Sequence, residues 1–301
     1  MRCLESTNQA MKDYIAMFTE SIISQKMLAK VPEKLYHYTN STGLIGILTS
    51  GKIWTTKIHY LNDKSEIQLA FKYIRAEIES QRNGHLKTRT DEELDIMVEV
   101  LDIVEEINIS VASFTAKGDQ LSQWRGYGNI GNGYSLGLYG QELMNTAKNN
   151  KNYHLVPCVY DEQEHLQMIK ELVDTAPVIN VKKNPAYSRL SLYQTTFGDA
   201  ALILAAMIKS VGFVEEEEWR LISPTLPYSD AKFRQGNHTL IPYWEYDLDL
   251  DRTLESVIVG PTPEAELSEK AISGLLANAF PNIARLWTSS LSEKKSGRLE
   301  K

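Results

Sequence analysis

The sequence predicts an α+β fold organised as one main domain. Three observations lead there. Short segments of alternating or β-branched residues, such as "KIWTTKIHYL", "INISVASFTA" and "LESVIVG", read as strands. Segments with apolar residues at helical spacing, such as "IQLAFKYIRAEIES" and "DEELDIMVEVLDIVEE", read as helices between them. No internal repeat and no linker rich in proline, glycine or serine divides the 301 residues, a length sufficient for a substantial core. The expected organisation is an N-terminal helical extension over 1–30, one α+β domain over 31–290 and a frayed tail over 291–301.

In chain order, Met11, Ile15, Phe18, Ile22 and Ile23 recur at helical spacing, and Pro32 ends that helix. "LYHYT" reads as a strand, "GLIGILTSG" as a short helix closed by glycine, and "KIWTTKIHYL" as the next strand. Asp63 and Glu66 stand three apart, as a capping box requires, before the helix "IQLAFKYIRAEIES". After the polar loop "RNGHLKTRT" come a second helix and the strand Ile107–Ala116. "GDQLSQWRGYGNIGNGYSLGLY" reads as a short helix, a glycine-rich turn and a strand. "YHLVPCVYD" is a strand and "EQEHLQMIKELVDT" a helix; "KKNP" is an internal loop, and a long helix is expected from Tyr187 to Val211. Within it, "DAALILAAMI" is too short to span a bilayer and reads as a buried helix. "EEEEWRLIS", "HTLIPYWEYDL" and "LESVIVG" are strands, and "PTPEAELSEKAISGLLANAF" is a helix with proline at its start.

A composition of 43% hydrophobic and 24% charged residues is that of a soluble globular protein, and the net charge of -7 argues against wholesale coating of nucleic acid. A local basic groove is compatible with that charge. Cys3 and Cys158 form no disulfide framework or zinc pattern, and the N-terminus lacks the apolar run of a signal peptide. A cytoplasmic location without membrane contact is therefore expected. The six histidines are scattered with no helical i, i+4 pair, so no metal is expected.

Three clusters can carry chemistry. In the first, Tyr36-His37-Tyr38-Thr39 stands where a strand runs into a helix start. His37 is either a satisfied strand histidine or a ligand for a ribose hydroxyl, and Thr39 to Thr42 lie where free helix amides favour phosphate. In the second, Trp124, Arg125 and Tyr127 stand beside Gly126, Gly128, Gly131 and Gly133. Trp124 is either core or part of a seat for a planar ligand, and the glycine spacing is not that of a dinucleotide fingerprint. The third is Glu215 to Glu218 leading into "WRLI". Such a run is commonly a solvated patch, but strand alternation puts Glu216, Glu218 and Arg220 on one face, where a carboxylate can stabilise positive charge or act as a base.

The ordered set "LYHYT…GLIGIL.SG.IW", "YLND..E", "SFT…LSQWR.YG…G", "E.EWRLI" and "VIVGP" resembles the bacterial family known as domain of unknown function 2971, over Leu35 to Pro261. The first piece also looks like the opening of DNA-directed ADP-ribosyltransferase toxins and of tRNA 2′-phosphotransferases. That superfamily binds NAD in a cleft between two small sheets, often with a His–Tyr–Glu order. Here the order is met by His37, Tyr127 (or Tyr134) and Glu218.

The resemblance implies split mixed or antiparallel sheets around an NAD cleft, flanked by helices. It implies that His37 binds the adenosine ribose and that Tyr38 and Thr39 help hold the dinucleotide. Trp124 is a further candidate for the cofactor site, and Arg125 is either a ligand for pyrophosphate, since guanidinium suits phosphate oxygens, or equally a structural bridge to Asp119 or Glu66. Tyr127 would stack on nicotinamide and Glu218 would contact the nicotinamide ribose. A fixed carboxylate there stabilises the oxocarbenium ion that forms as the glycosidic bond breaks. Asn62, Asp63 and Glu66 match the family with no role assigned, Asp63 being equally a helix cap, and Glu216 is an alternative carboxylate. The activity so implied is ADP-ribosyl transfer from NAD, without a metal, to a protein, DNA or RNA acceptor, in a toxin or phage-defence setting with an antitoxin partner. Two other readings stand beside it: an inactive nucleotide sensor, and an RNA 2′-phosphotransferase, for which an arginine beside His37 is lacking.

Overall fold

The computed structural model describes residues 25–26, 29–61, 64–84, 87–104, 107–127, 131–149, 153–178, 196–236 and 238–280. The helix expected over 7–30 falls almost wholly outside the described residues. The tail over 291–301, the "KKNP" loop, Asn62, Asp63 and the first part of the helix expected from Tyr187 lie outside them altogether.

The described elements are, in chain order, β1 (Lys34–Asn40), α1 (Ser41–Ser50), β2 (Lys52–Lys57), α2 (Lys64–Asn83), α3 (Asp91–Val104) and β3 (Ser110–Thr115). They continue with α4 (Leu121–Tyr127), β4 (Gly133–Tyr139), α5 (Gly140–Asn149), β5 (His154–Pro157), α6 (Glu162–Thr175) and α7 (Thr196–Met207). The last are β6 (Glu218–Ile222), β7 (Lys232–Gln235), β8 (Leu240–Asp247), α8 (Leu250–Thr253), β9 (Leu254–Val259) and α9 (Ala265–Ala279). The fold is α+β. The chain forms two compact units, each assembled from separated stretches.

The described residues of the first unit lie within Thr55–Ala112 and Asn150–Trp244, with the few described ones before Val31. Its core is helical. Ile67, Phe71, Ile74 and Ile78 of α2 form a stripe at helical spacing, and they share one cluster with Leu94, Met97 and Leu101 of α3 and Met168 and Leu172 of α6. Helix α7 is apolar nearly all round and is buried accordingly, Phe197, Ala201, Leu204, Ala205 and Met207 among its enclosed residues, with Asp199 exposed. Antiparallel pairs flank this core: Thr56 with Val111 joins β2 to β3, and Val156 with Arg220 joins β5 to β6.

The second unit takes Val31–Trp54, Ser113–Asn149 and the stretch from Glu245. Strand β1 is central. It pairs antiparallel with β4 along its whole length, Lys34 with Tyr139 through Asn40 with Gly133, and its Tyr36 meets Thr115 of β3. Strand β9 pairs with the other edge of β4. Helix α1 follows β1 with no spacer because Asn40 caps it, its side chain accepting from the Gly43 amide at 2.9 Å. Gly51 closes the helix in the left-handed region at φ 70°, the conformation glycine adopts without steric cost.

Helix α5 begins at Gly140 for a different reason, which is close approach. The Gly140 amide donates to the Glu33 carbonyl at 2.9 Å, and a Cβ there would lie 2.0 Å from the Pro32 carbonyl oxygen. A backbone oxygen cannot rotate aside as a side chain does. Gly140→Ala is expected to destabilise the protein by about 1–3 kcal/mol, as overpacking does. Denaturant unfolding measures this, with the open position of Gly46 as the control site, since a Cβ there meets nothing within 4 Å.

Candidate functional site

Strand alternation divides the β1 residues between two faces. Tyr38 and Tyr36 share one. Tyr38 is buried, and its hydroxyl donates to the Lys117 carbonyl at 2.9 Å and accepts from the Gln120 amide at 3.0 Å. Its ring meets the Trp124 ring edge-on with centroids 4.5 Å apart. Trp124 is buried as well, donates from Nε1 to Asp119 at 2.8 Å, and leaves no room for a Cβ at Gly260, which would approach its ring to 2.8 Å. Burial raises the Tyr38 phenol to about 12, so it stays protonated at neutral pH. These contacts make Tyr38 and Trp124 a brace between β1 and α4.

His37 and Thr39 occupy the opposite face. The His37 ring lies 5.7 Å from that of Phe114, and its Nδ1 lies 2.9 Å from the Ser113 carbonyl oxygen. A carbonyl oxygen only accepts, so Nδ1 carries the proton. Burial lowers the His37 pKa more than that hydrogen bond raises it, which keeps the ring neutral. Nε2 is then the acceptor, in a ring held at a fixed angle. Thr39 packs against Gly43, where a Cβ would come within 2.0 Å of the Thr39 hydroxyl oxygen. Tyr134 stands directly opposite Thr39 on β4 and therefore shares its face. Beside them, the Asn132 amide donates to the Ser41 hydroxyl at 3.0 Å in the first turn of α1.

The tyrosine on the face of His37 and Thr39 is thus Tyr134, opposite Thr39, while Leu136 stands opposite His37. Tyr127 is 40% exposed at the end of α4, and Arg125 is exposed one residue before Gly126. Glu66 lies in the first turn of α2, and Asn62 and Asp63 are outside the described residues.

The carboxylates belong to the first unit and depart from the expected alternation. Val211–Glu216 forms a 3-10 turn capped by Ser210, Glu217 adopts the left-handed region at φ 42°, and the strand begins only at Glu218. Glu216 and Glu218 still converge, because one cation draws both. Lys209 Nζ donates to Glu216 at 2.5 Å and to Glu218 Oε2. Arg220, on the Glu218 face of β6 as its spacing predicts, donates from Nε to Glu218 Oε1 at 2.9 Å and from Nη2 to Oε2 at 3.2 Å. Its Nη1 reaches the Ala206 carbonyl at 2.9 Å, near the end of α7, where a cation suits the helix dipole. Glu218 is also held by its backbone, its amide accepted by the Tyr160 hydroxyl at 2.8 Å.

Lys209, Arg220 and Glu218 are 0%, 1% and 5% exposed. Burial by itself would raise the Glu218 carboxyl. The charges of Arg220 and Lys209, with their hydrogen bonds, overcome this and hold it at about 2. The same pairing holds Lys209 above its ordinary value against the opposing effect of burial. Glu218 is therefore a permanent carboxylate whose two oxygens are both engaged. Lys209 and Tyr160 are invisible to motif reading: each lies in a different segment from "EEEEWR", and only folding brings them to it.

Among the described residues, no group of three His, Cys, Asp or Glu side chains is placed to hold a metal ion, and no helix is long and apolar enough to cross a membrane. A family model described as a protein of unknown function, DUF2971, matches residues 123–221. That stretch contains Trp124, Arg125, Tyr127, Tyr134 and Glu218; His37 and Thr39 lie before it. No curated protein and no solved structure matches the chain.

Removing one member of a buried ion cluster strands the others. Lys209→Met is expected to cost about 3–5 kcal/mol in denaturant unfolding, with the single change Glu216→Gln costing less because Glu216 is only partly buried. The pH dependence has a definite sign. The Glu218 pKa is lower folded than unfolded, so its contribution is complete above the ordinary carboxylate value of 4.5 and is lost as pH falls toward about 2. Stability measured from pH 7 down to pH 3 should fall less steeply in Glu218→Gln than in the parent.

Proposed function

We propose that the protein binds NAD at the β1–α1 corner and transfers its ADP-ribosyl group to a macromolecular acceptor. The observation that carries this reading is His37. A neutral imidazole with Nδ1–H fixed on the Ser113 carbonyl offers Nε2 as an oriented acceptor for a ribose hydroxyl. Directly beyond it, the first turn of α1 supplies backbone amides suited to pyrophosphate. Tyr134, on the face of His37 and Thr39, is the aromatic we assign to stack on nicotinamide in preference to Tyr127.

In this reading Glu218 acts electrostatically. Its carboxylate stays ionised throughout the neutral range, so no proton has to leave before it can stabilise an oxocarbenium ion. Cleavage of the bond between the ribose C1′ and the nicotinamide nitrogen sends the bonding pair to nicotinamide. An acceptor nucleophile then supplies the new bond to C1′ and loses its proton.

A second reading is favoured by a specific observation: both oxygens of Glu218 are already held by Lys209 and Arg220 inside the protein. A carboxylate so enclosed serves a nucleotide-binding module that senses NAD without cleaving it.

The two readings differ in a direct assay. Purified protein incubated with NAD labelled on the adenylate, plus cell lysate, should move label onto a macromolecule and release nicotinamide. His37→Ala should weaken NAD binding by about 3- to 10-fold, the worth of one neutral hydrogen bond. Glu218→Asp, which retains the charge but retracts the carboxylate, should bind NAD normally and lose transfer, provided its melting curve matches the parent. Binding without nicotinamide release supports the sensor, and absence of NAD binding removes both.

A further inference from the structure

The cluster around Glu218 contains one cation held by two carboxylates on unlike supports. Lys209 Nζ donates to Glu216 at 2.5 Å and also to Glu218 Oε2. Glu218 opens β6, whose residues from Trp219 to Ile222 pair with β5. Glu216 ends the 3-10 turn Val211–Glu216, in which no residue is buried. Val211, Phe213 and Val214 are 69%, 42% and 52% exposed, so apolar burial does not clamp the turn to the helical core. The Phe213 ring lies over Lys209, its centre 5.2 Å from Nζ.

Both ends of the turn are suited to bending. Ser210 caps it, the hydroxyl accepting from the Gly212 amide at 3.4 Å. Glu217 closes it in the left-handed region at φ 42°, which a residue with a Cβ occupies at some cost. Positions at the ends of an element absorb the change in backbone angle when a segment swings.

The contacts of Glu218 divide in the same way. Arg220 lies two residues along the same strand and grips the carboxylate as a fork, Nε on Oε1 at 2.9 Å and Nη2 on Oε2 at 3.2 Å. That grip orients Glu218 and needs nothing from the turn. Lys209 has its backbone fixed, the amide donating to the Val159 carbonyl at 2.9 Å, but its ammonium rides on a flexible four-carbon stem. A buried ammonium leaves one carboxylate only in the company of another, since an unpaired buried charge is strongly disfavoured. Glu216 is placed to be that second carboxylate.

We infer that Glu216 is a positioning residue: it draws Lys209 off Glu218 Oε2 when NAD binds, with the Val211–Glu216 turn as its carrier. The inference rests on the NAD-transferase reading and accounts for how an enclosed carboxylate can serve it. In the free protein Lys209 occupies the place on Oε2 that positive charge on the substrate would take. Once Lys209 follows Glu216, Glu218 is still ionised and still aligned by Arg220, and Oε2 is open to the charge that develops on the ribose. A Glu216 that only neutralised Lys209 would affect stability and leave turnover alone.

The test uses the full chain with NAD. Calorimetry measures binding, nicotinamide release measures cleavage, and NMR with isotope-labelled lysine follows the Lys209 ammonium. In the parent that resonance should shift as NAD saturates. Glu216→Gln should bind NAD with the parent's affinity, show no such shift and release nicotinamide about 100-fold more slowly, the scale of one electrostatic contact at a reacting centre. Glu216→Asp keeps the charge and should restore release toward the parent's rate at a matched melting temperature. Absence of NAD binding by the parent removes the transferase reading and this inference with it. Release by the parent with the Lys209 resonance unmoved, or equally fast release by a folded Glu216→Gln, overturns this inference alone. The parent's resonance decides the matter even where Glu216→Gln fails to fold.

Discussion

The buried charge cluster around Glu218 is the constraint on which the first unit turns. Charged groups cannot be left alone in an apolar interior, so Lys209, Arg220 and Glu218 must be enclosed together or not at all. Enclosing them brings the end of α7, the start of β6 and the 3-10 turn with Glu216 to one point. The surrounding apolar helices supply the driving force for burial. The ion cluster fixes which backbone segments are adjacent when burial is complete. The cysteine amide of residue 158 accepted by the Glu218 carbonyl at 2.8 Å, and the Lys209 amide accepted by the Val159 carbonyl at 2.9 Å, follow from that adjacency.

A comparable economy operates on β1 in the second unit. One strand serves two purposes because its side chains alternate. The Tyr38 face is spent on structure: two hydrogen bonds and an edge-on contact with Trp124 lock it to the loop and helix that follow β3. With that side fixed, the opposite side can hold His37 and Thr39 at the head of α1 without moving. The His37 ring is thereby held in one orientation, fixed by its Nδ1 on the Ser113 carbonyl.

Parts of this were legible residue by residue. The strand over 35–39, its abrupt passage into a helix and the closing glycine follow from alternation, the Asn40 cap and Gly51. Helices α2, α3 and α6 follow from their apolar spacing, and the apolar stretch before Ile208 is a buried helix for lack of any polar face. Helix α5 was not legible: "GQELMNTAKN" is polar apart from Leu143, Met144 and Ala147, and a glycine at its first position argues against a helix start until the contact with Pro32 is seen.

Of the candidate site, the sequence by itself determined the chemical groups: a histidine at a strand end, a run of acids before an apolar strand, and an arginine in register with Glu218. Local geometry sufficed for these, because strand and helix periodicity reach only a few residues. The tertiary structure decided which tyrosine stands opposite Thr39, since that depends on the register of β4 against β1, and it decided that Trp124 is a brace. It also decided the state of Glu218. Lys209 lies nine residues away and Tyr160 fifty-eight, and whether a carboxylate is solvated or enclosed depends on contacts that no local pattern encodes.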